Sequence, residues 1–208
     1  MGRNNLIFGM HPLLEALEAG REIDKILLKR GLRSDEVSRI MALARERIIP
    51  LQMVPEERLS RLTRGQHQGV IAFISEIEYT SLEQLIPMIY EQGRSPFVVL
   101  LDGLTDVRNF GAIARTAECA GVDALIIPER GSVSVTADAI KTSAGALHRL
   151  PVCRVSSIAS AVALLQQSGL QVVAASEKAS DLYTETDLRL PLGLVLGAED
   201  HGVSTDVL

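Results

Sequence analysis

From residue 97 onward the sequence keeps a regular beat that few folds can satisfy. Largely apolar runs of about five residues, the spacing of buried strands, stand at 97–101, 123–127, 151–155, 171–175 and 192–196. Between most of them lie segments of helical period, near 109–120, 136–147 and 157–167. A strand that is apolar throughout, rather than at alternate positions, is covered on both faces, as in parallel sheets. Strands alternating with helices therefore predict an α/β fold, an open parallel sheet with helices on both sides. Such sheets carry their ligands at the carboxyl ends of the strands. Two of the runs end in small and charged residues: 97–101 runs into DGLTDVRNFGAIARTAECAG, and 192–196 into GAEDHG. That placement predicts one polar cluster, containing Asn109, Arg115 and Glu199, above an apolar sheet.

Composition supports this class. The chain has 208 residues, 47% hydrophobic but only 3% aromatic and without Trp, which implies an aliphatic core. No apolar stretch approaches the roughly 18 residues of a membrane span, so no membrane association is expected. The N-terminus is too polar and acidic for a signal peptide. Its Met1-Gly2 start has Leu6 where a myristoylation signal needs Ser or Thr. A cytoplasmic protein is expected. Cys119 and Cys153 lie far apart in apolar contexts, and with four scattered His they form no metal-ligand spacing. They read as reduced core thiols, and no metal is expected. The net charge of −5 argues, taken alone, against a nucleic-acid partner. Its distribution is uneven. Residues 1–76 hold 12 Lys and Arg against 10 Asp and Glu, and residues 77–208 hold 9 against 16, so balances of +2 and −7 sum to −5.

The first 76 residues read as a separate βαβαβ-like module. A helix at 12–19 closes on Gly20, a strand follows at 23–28, and Ser34 is placed to cap a helix with an acidic first turn. A strand at 48–54, a short helix opened by Pro55 and a strand at 69–74 complete it. Residues 77–96 read as a linker, with a helix at 81–92 kinked by Pro87. Residues 97–208 form the larger domain, with no internal repeat or low-complexity segment. The chain ends at Leu208 where a covering helix should begin, so a longer natural protein is expected.

Four motifs carry chemistry. RGQHQGV at 64–70 offers Arg64, Gln66, His67 and Gln68 on a loop, suited to phosphate, base edges and 2′-hydroxyls; an ordinary polar turn punctuated by Gly65 and Gly69 is the alternative. Asn109 sits six residues before Arg115, so the two need not share a helix face. Asn109 can be a simple cap, and Gly111 lets a ligand or another backbone come close. Arg115, among small apolar residues, reads as a buried guanidinium that needs a carboxylate or a phosphate. Gly197 lets the backbone turn sharply beside a ligand, and Glu199 suits either Arg115 or a ligand hydroxyl. His201 is a candidate base, with a solvated turn residue as the alternative. The small residues of 141–147, KTSAGAL, fit a tight pocket or helix packing. Dinucleotide, Walker and nucleophile-elbow patterns are absent.

These residues bring a family into view. NFGAIARTAECAG resembles the first signature motif of the SpoU/TrmH family of 2′-O-ribose methyltransferases, part of the SPOUT superfamily, and VLGAEDHGVS resembles the second. RGQHQGV is similar to the loop of the small L30e-like substrate-binding domain of its rRNA-modifying branch, which includes bacterial enzymes acting on a guanosine of 23S rRNA. The resemblance implies S-adenosylmethionine as methyl donor, ribosomal RNA as partner, a homodimer and a C-terminal trefoil knot. Carried over by motif, Asn109, Arg115 and Glu199 are catalytic, Leu196 and Gly197 lie at the cofactor, and Arg64, His67 and Gln68 touch RNA. The family's third motif, which threads the knot, is expected beyond Leu208. Without it the knot is incomplete, and these 208 residues alone should bind cofactor weakly or not at all. Two other readings stay open. One is a non-catalytic RNA-binding protein on a methyltransferase-like scaffold; the other is an enzyme for a small anionic metabolite, which leaves RGQHQGV without a task.

Overall fold

In the computed structural model, which describes residues 6–208, the chain falls into two compact units, Met1–Glu76 and Ile77–Leu208. Met1 and Gly2, on which the myristoylation reading rests, lie outside the described residues.

The second unit is built on six parallel strands. They are β5 (Tyr79–Thr80), β6 (Phe97–Leu101), β7 (Ala124–Pro128), β8 (Val152–Val155), β9 (Gln171–Ala175) and β10 (Leu192–Leu196), in the order β5-β8-β7-β6-β10-β9. Side chains of one strand alternate between two cores. Val99 and Leu101 join Leu125, Ile127 and Val152 against Phe110, Ala114 and Ala117 of α5 (Val107–Cys119) and Ala139 of α6 (Ala137–Thr142). Val98 and Leu100 join Ile126, Cys153 and Val195 against α4 (Leu82–Glu91) and α7 (Ile158–Gln167). Both faces of the central strands β6 and β7 are covered, which is why those strands are apolar throughout. Phe110 is fully buried, and its truncation to Ala is expected to cost roughly 3–5 kcal/mol.

Residues 77–96 differ from the expected linker. Leu82, Leu85, Ile86 and Ile89 give α4 a buried face, and the helix runs on through exposed Pro87. Tyr79 pairs with Val152, and its ring lies 3.6 Å beneath the guanidinium of the buried Arg154, which anchors β5 at the sheet edge.

The first unit holds a four-stranded mixed sheet, with β1 (Leu6–Phe8), β2 (Ile23–Lys29), β3 (Leu51–Val54) and β4 (Val70–Ile74) in the order β1-β4-β2-β3. From β2 to β4 strands and helices alternate in the expected βαβαβ-like order; β2 and β3 are parallel, and β4 runs antiparallel to both β1 and β2. Its helices are α1 (Met10–Glu18), α2 (Asp35–Glu46) and α3 (Glu56–Leu62). Ser34 caps α2 as its type predicts, accepting from the Val37 N–H at 3.2 Å. The strand expected from residue 48 begins at Leu51, because Ile48 takes φ 52° and closes α2 instead.

Candidate active site

The site follows from the strand order. The chain leaves β6 toward β7 and β8 on one side, then returns to place β9 and β10 on the other. Strand order therefore reverses between β6 and β10, the kind of crevice in which open α/β sheets hold ligands. These two strands are in register, with Leu101 opposite Leu196, so the loops leaving them start side by side.

The two loops are bonded together. The Asp102 N–H donates to the Leu196 carbonyl at 2.9 Å, and the Ser204 N–H donates to Asp102 Oδ2 at 2.7 Å. Within the second loop, Ala198 and Gly202 exchange hydrogen bonds of 3.1 and 2.9 Å. A Cβ on Gly197 would lie 2.1 Å from the Gly202 carbonyl carbon and 2.3 Å from the Val203 nitrogen. The space this glycine opens is thus filled by the loop's own backbone, where a ligand's approach was expected. Gly103 takes φ +72°, and a Cβ there would meet His201 Nε2 at 3.0 Å. His201 is exposed, with Nδ1 2.5 Å from the still more exposed Asp200 carboxylate, as its solvated-turn reading has it.

Asn109 lies in the first turn of α5, but it is not the cap. Asp106 is, its Oδ1 accepting from the Asn109 N–H at 2.7 Å, which leaves the Asn109 amide exposed. Arg115 overturns the expectation of burial. Helical spacing sets it with Arg108 and Cys119 on the outward side of α5, where all three are exposed. Glu199 is exposed at the tip of the second loop. Among the described residues neither Asn109 nor Glu199 bonds to Arg115, so the fold places these groups on adjoining elements without joining them.

Gly111 permits a backbone approach, as its type suggests. A Cβ there would lie 2.9 Å from the Ala139 carbonyl oxygen and 3.0 Å from the Ser143 nitrogen, so α5 and α6 touch closely. The small residues of 141–147 divide in two. Ser143, Ala146 and Leu147 pack inward, whereas Lys141 and Thr142 line an open cleft of about 550 Å³ with Asp106, Val107, Arg108 and Asp138. Sequence reasoning missed Arg108 and Asp138, although both stand in the first turn of a helix, where the cleft forms.

In the first unit, the loop 64–69 is held by its own side chains. His67 Nδ1 accepts from the Gly69 N–H at 3.0 Å, and Gln68 Oε1 accepts from the Met10 N–H at 2.9 Å. Arg64 is exposed. Cys153 is buried, and burial pushes its thiol up to about 12, but Cys119 is exposed rather than part of the core. Among the described residues no His, Cys, Asp or Glu cluster suits a metal, and no helix is long and apolar enough to cross a membrane.

Residues 96–208 match the SpoU rRNA Methylase family, and residues 6–80 match the family described as RNA 2′-O ribose methyltransferase substrate binding. A protein of Staphylococcus saprophyticus named for the TrmH family of tRNA/rRNA methyltransferases is 37% identical over 199 residues, covering 96% of this chain and 80% of the relative. A Staphylococcus aureus protein of the same name is 35% identical over 201 residues, covering 97% and 81%. The fold is similar to that of an AdoMet-bound rRNA methyltransferase from Sinorhizobium meliloti, with a TM-score of 0.55 and 23% identity over 98% of this chain and 74% of that one. It is similar also to the SpoU methyltransferase AviRb from Streptomyces viridochromogenes in complex with AdoMet, with a TM-score of 0.51 and 24% identity over 96% and 74%.

Proposed function

The chain belongs to the SpoU/TrmH family of RNA methyltransferases, and on that premise we propose that it methylates the ribose 2′-hydroxyl of a guanosine in 23S rRNA, with S-adenosylmethionine as donor. The observation that carries this reading is the pairing of both motif loops at the switch point, with Asn109, Arg115 and Glu199 exposed on the elements they lead into. The donor set fits the cofactor: the carboxylates of Glu199 and Asp200 suit a cationic ligand, and half-buried Leu196 and Gly197 put apolar surface and backbone beside them. When bound, S-adenosylmethionine supplies an electrophilic methyl group.

The chain's own residues must then orient the nucleophile. Arg115, without a carboxylate partner among the described residues, is available to a phosphate of the target nucleotide and to negative charge growing on the 2′-oxygen. It does not act as a base, because a guanidinium keeps its proton. Glu199 accepts a hydrogen bond from a ligand hydroxyl, and the Asn109 amide, released from capping, helps to position the ribose. Arg64, His67 and Gln68 of the first unit touch the RNA, Arg64 at its backbone, from a loop that His67 Nδ1 and Gln68 Oε1 also hold in shape. A homodimer working in the cytoplasm completes the proposal.

The test is transfer of labelled methyl from S-adenosylmethionine to 23S rRNA, followed by digestion to nucleosides. The expected product is 2′-O-methylguanosine. Label on a base or on another ribose contradicts the specificity. RNA binding without label favours the non-catalytic scaffold.

A further inference from the structure

We propose that Asp102 is a positioning residue that holds the Glu199 turn in place for the reaction, an inference that rests on the functional reading above. The turn from Leu196 to Ser204 has two feet, and both stand on this residue. At one foot the Asp102 N–H reaches the Leu196 carbonyl at 2.9 Å; at the other its carboxylate receives the Ser204 N–H at 2.7 Å. The first bond uses backbone and belongs to any residue at this position. The second needs a side-chain acceptor of this length, and a carboxylate makes it a charge-assisted bond, stronger than a neutral one. The reciprocal Ala198–Gly202 bonds close the turn internally, so its tip, with Glu199, Asp200 and His201, moves as one piece. Gly103 completes the seat by leaving room for the His201 ring. Asp102 itself is half-buried. It acts through the turn it anchors.

The account predicts a graded series. Asp102→Ala keeps the Leu196 foot and loses the Ser204 foot. A tip displaced by about an ångström lowers kcat on the order of 100-fold, while KM for RNA stays near the wild-type value. Asp102→Asn retains an oxygen acceptor and restores kcat to within about tenfold of wild type, a neutral bond replacing a charged one. Wild-type kcat in Asp102→Ala overturns the proposal. So does an Asp102→Asn variant as impaired as Asp102→Ala, because the charge rather than the bond would then matter. Amide hydrogen exchange in the wild-type protein tests the clamp even where a variant fails to fold. The Ser204 amide is expected to exchange slowly, and a rapidly exchanging amide overturns the clamp. A wild-type protein that transfers no methyl, yet protects Ser204, defeats the functional reading and leaves the clamp intact.

Discussion

Two glycine-punctuated loops, one in each unit, solve the same problem in opposite ways. The loop at 64–69 satisfies its backbone with its own side chains: His67 takes the Gly69 N–H, and Thr63 takes the Gly65 N–H at 3.1 Å. Gln68 takes the first N–H of α1, whose N-cap is Gly9 and offers no side chain. The turn at 197–204 is closed by backbone pairing, by Gly197 and by a carboxylate from the neighbouring loop. Its tip residues are left exposed and uncommitted to the backbone. Polar side chains in a motif are thus available for chemistry only where something else satisfies the backbone donors around them. By that criterion Glu199, Arg115 and Asn109 are available, and in the first unit Arg64 is available, while Gln68 commits its Oε1 to the Met10 N–H yet remains exposed.

The comparison breaks most visibly at Arg115. Replacement by Lys keeps a charge but loses the planar fork, and turnover is expected to fall by about 100-fold, measured as kcat for methyl transfer. Activity near the wild-type level would sink the role given to the guanidinium. A smaller effect separates Arg64 from Gln68. Gln68→Ala removes the substitute cap of α1 and should cost about 1 kcal/mol, seen in denaturant unfolding. Arg64→Ala should leave stability unchanged, weaken RNA binding and lower the slope of affinity against salt by about one counterion. If Arg64→Ala destabilises the fold and Gln68→Ala does not, their roles are reversed. The smallest effect concerns the thiols. A thiol reagent should modify Cys119 in the native protein, and Cys153 only after unfolding, because burial disfavours its thiolate. Native labelling of both contradicts the core placement of Cys153.

β6, β7 and β10 were legible because each is apolar over its whole length, as a doubly covered sheet requires; β8 and β9, which carry Arg154 and Gln171, were legible by their place in the strand–helix alternation; and β5, two residues long, was not. β1 was not, since Leu6–Phe8 is too short to show any period. The direction of β4 was hidden for another reason: periodicity marks a strand but not which way it runs. α4 was read as a helix, but its membership in the second unit depends on Val98, Leu100 and Ile126, which lie far along the chain. At the site, the ends of β6 and β10 lead to Asn109 in the first turn of α5 and to Glu199 in the turn after β10, whereas Arg115 lies further along α5 on its outward side. Arg115 is exposed although its sequence neighbours are small and apolar, because the 3.6-residue period, not adjacency, decides which face it takes. Asp106 and Asn109 are equally good caps by type, and only geometry chose between them. The Asp102–Ser204 bond spans 102 positions and leaves no local trace in the sequence.

The most direct measurement is a calorimetric titration of S-adenosylhomocysteine into the full-length protein and into its Gly197→Ala and Arg64→Ala variants. A methyl group at Gly197 must displace the backbone of Gly202 and Val203, a distortion on the order of 1–3 kcal/mol placed at the switch point. The account predicts binding to the wild type and to Arg64→Ala with equal affinity, and its loss in Gly197→Ala while the protein remains folded by circular dichroism. Binding to Gly197→Ala as tight as to the wild type would contradict the claim that this turn builds the cofactor site.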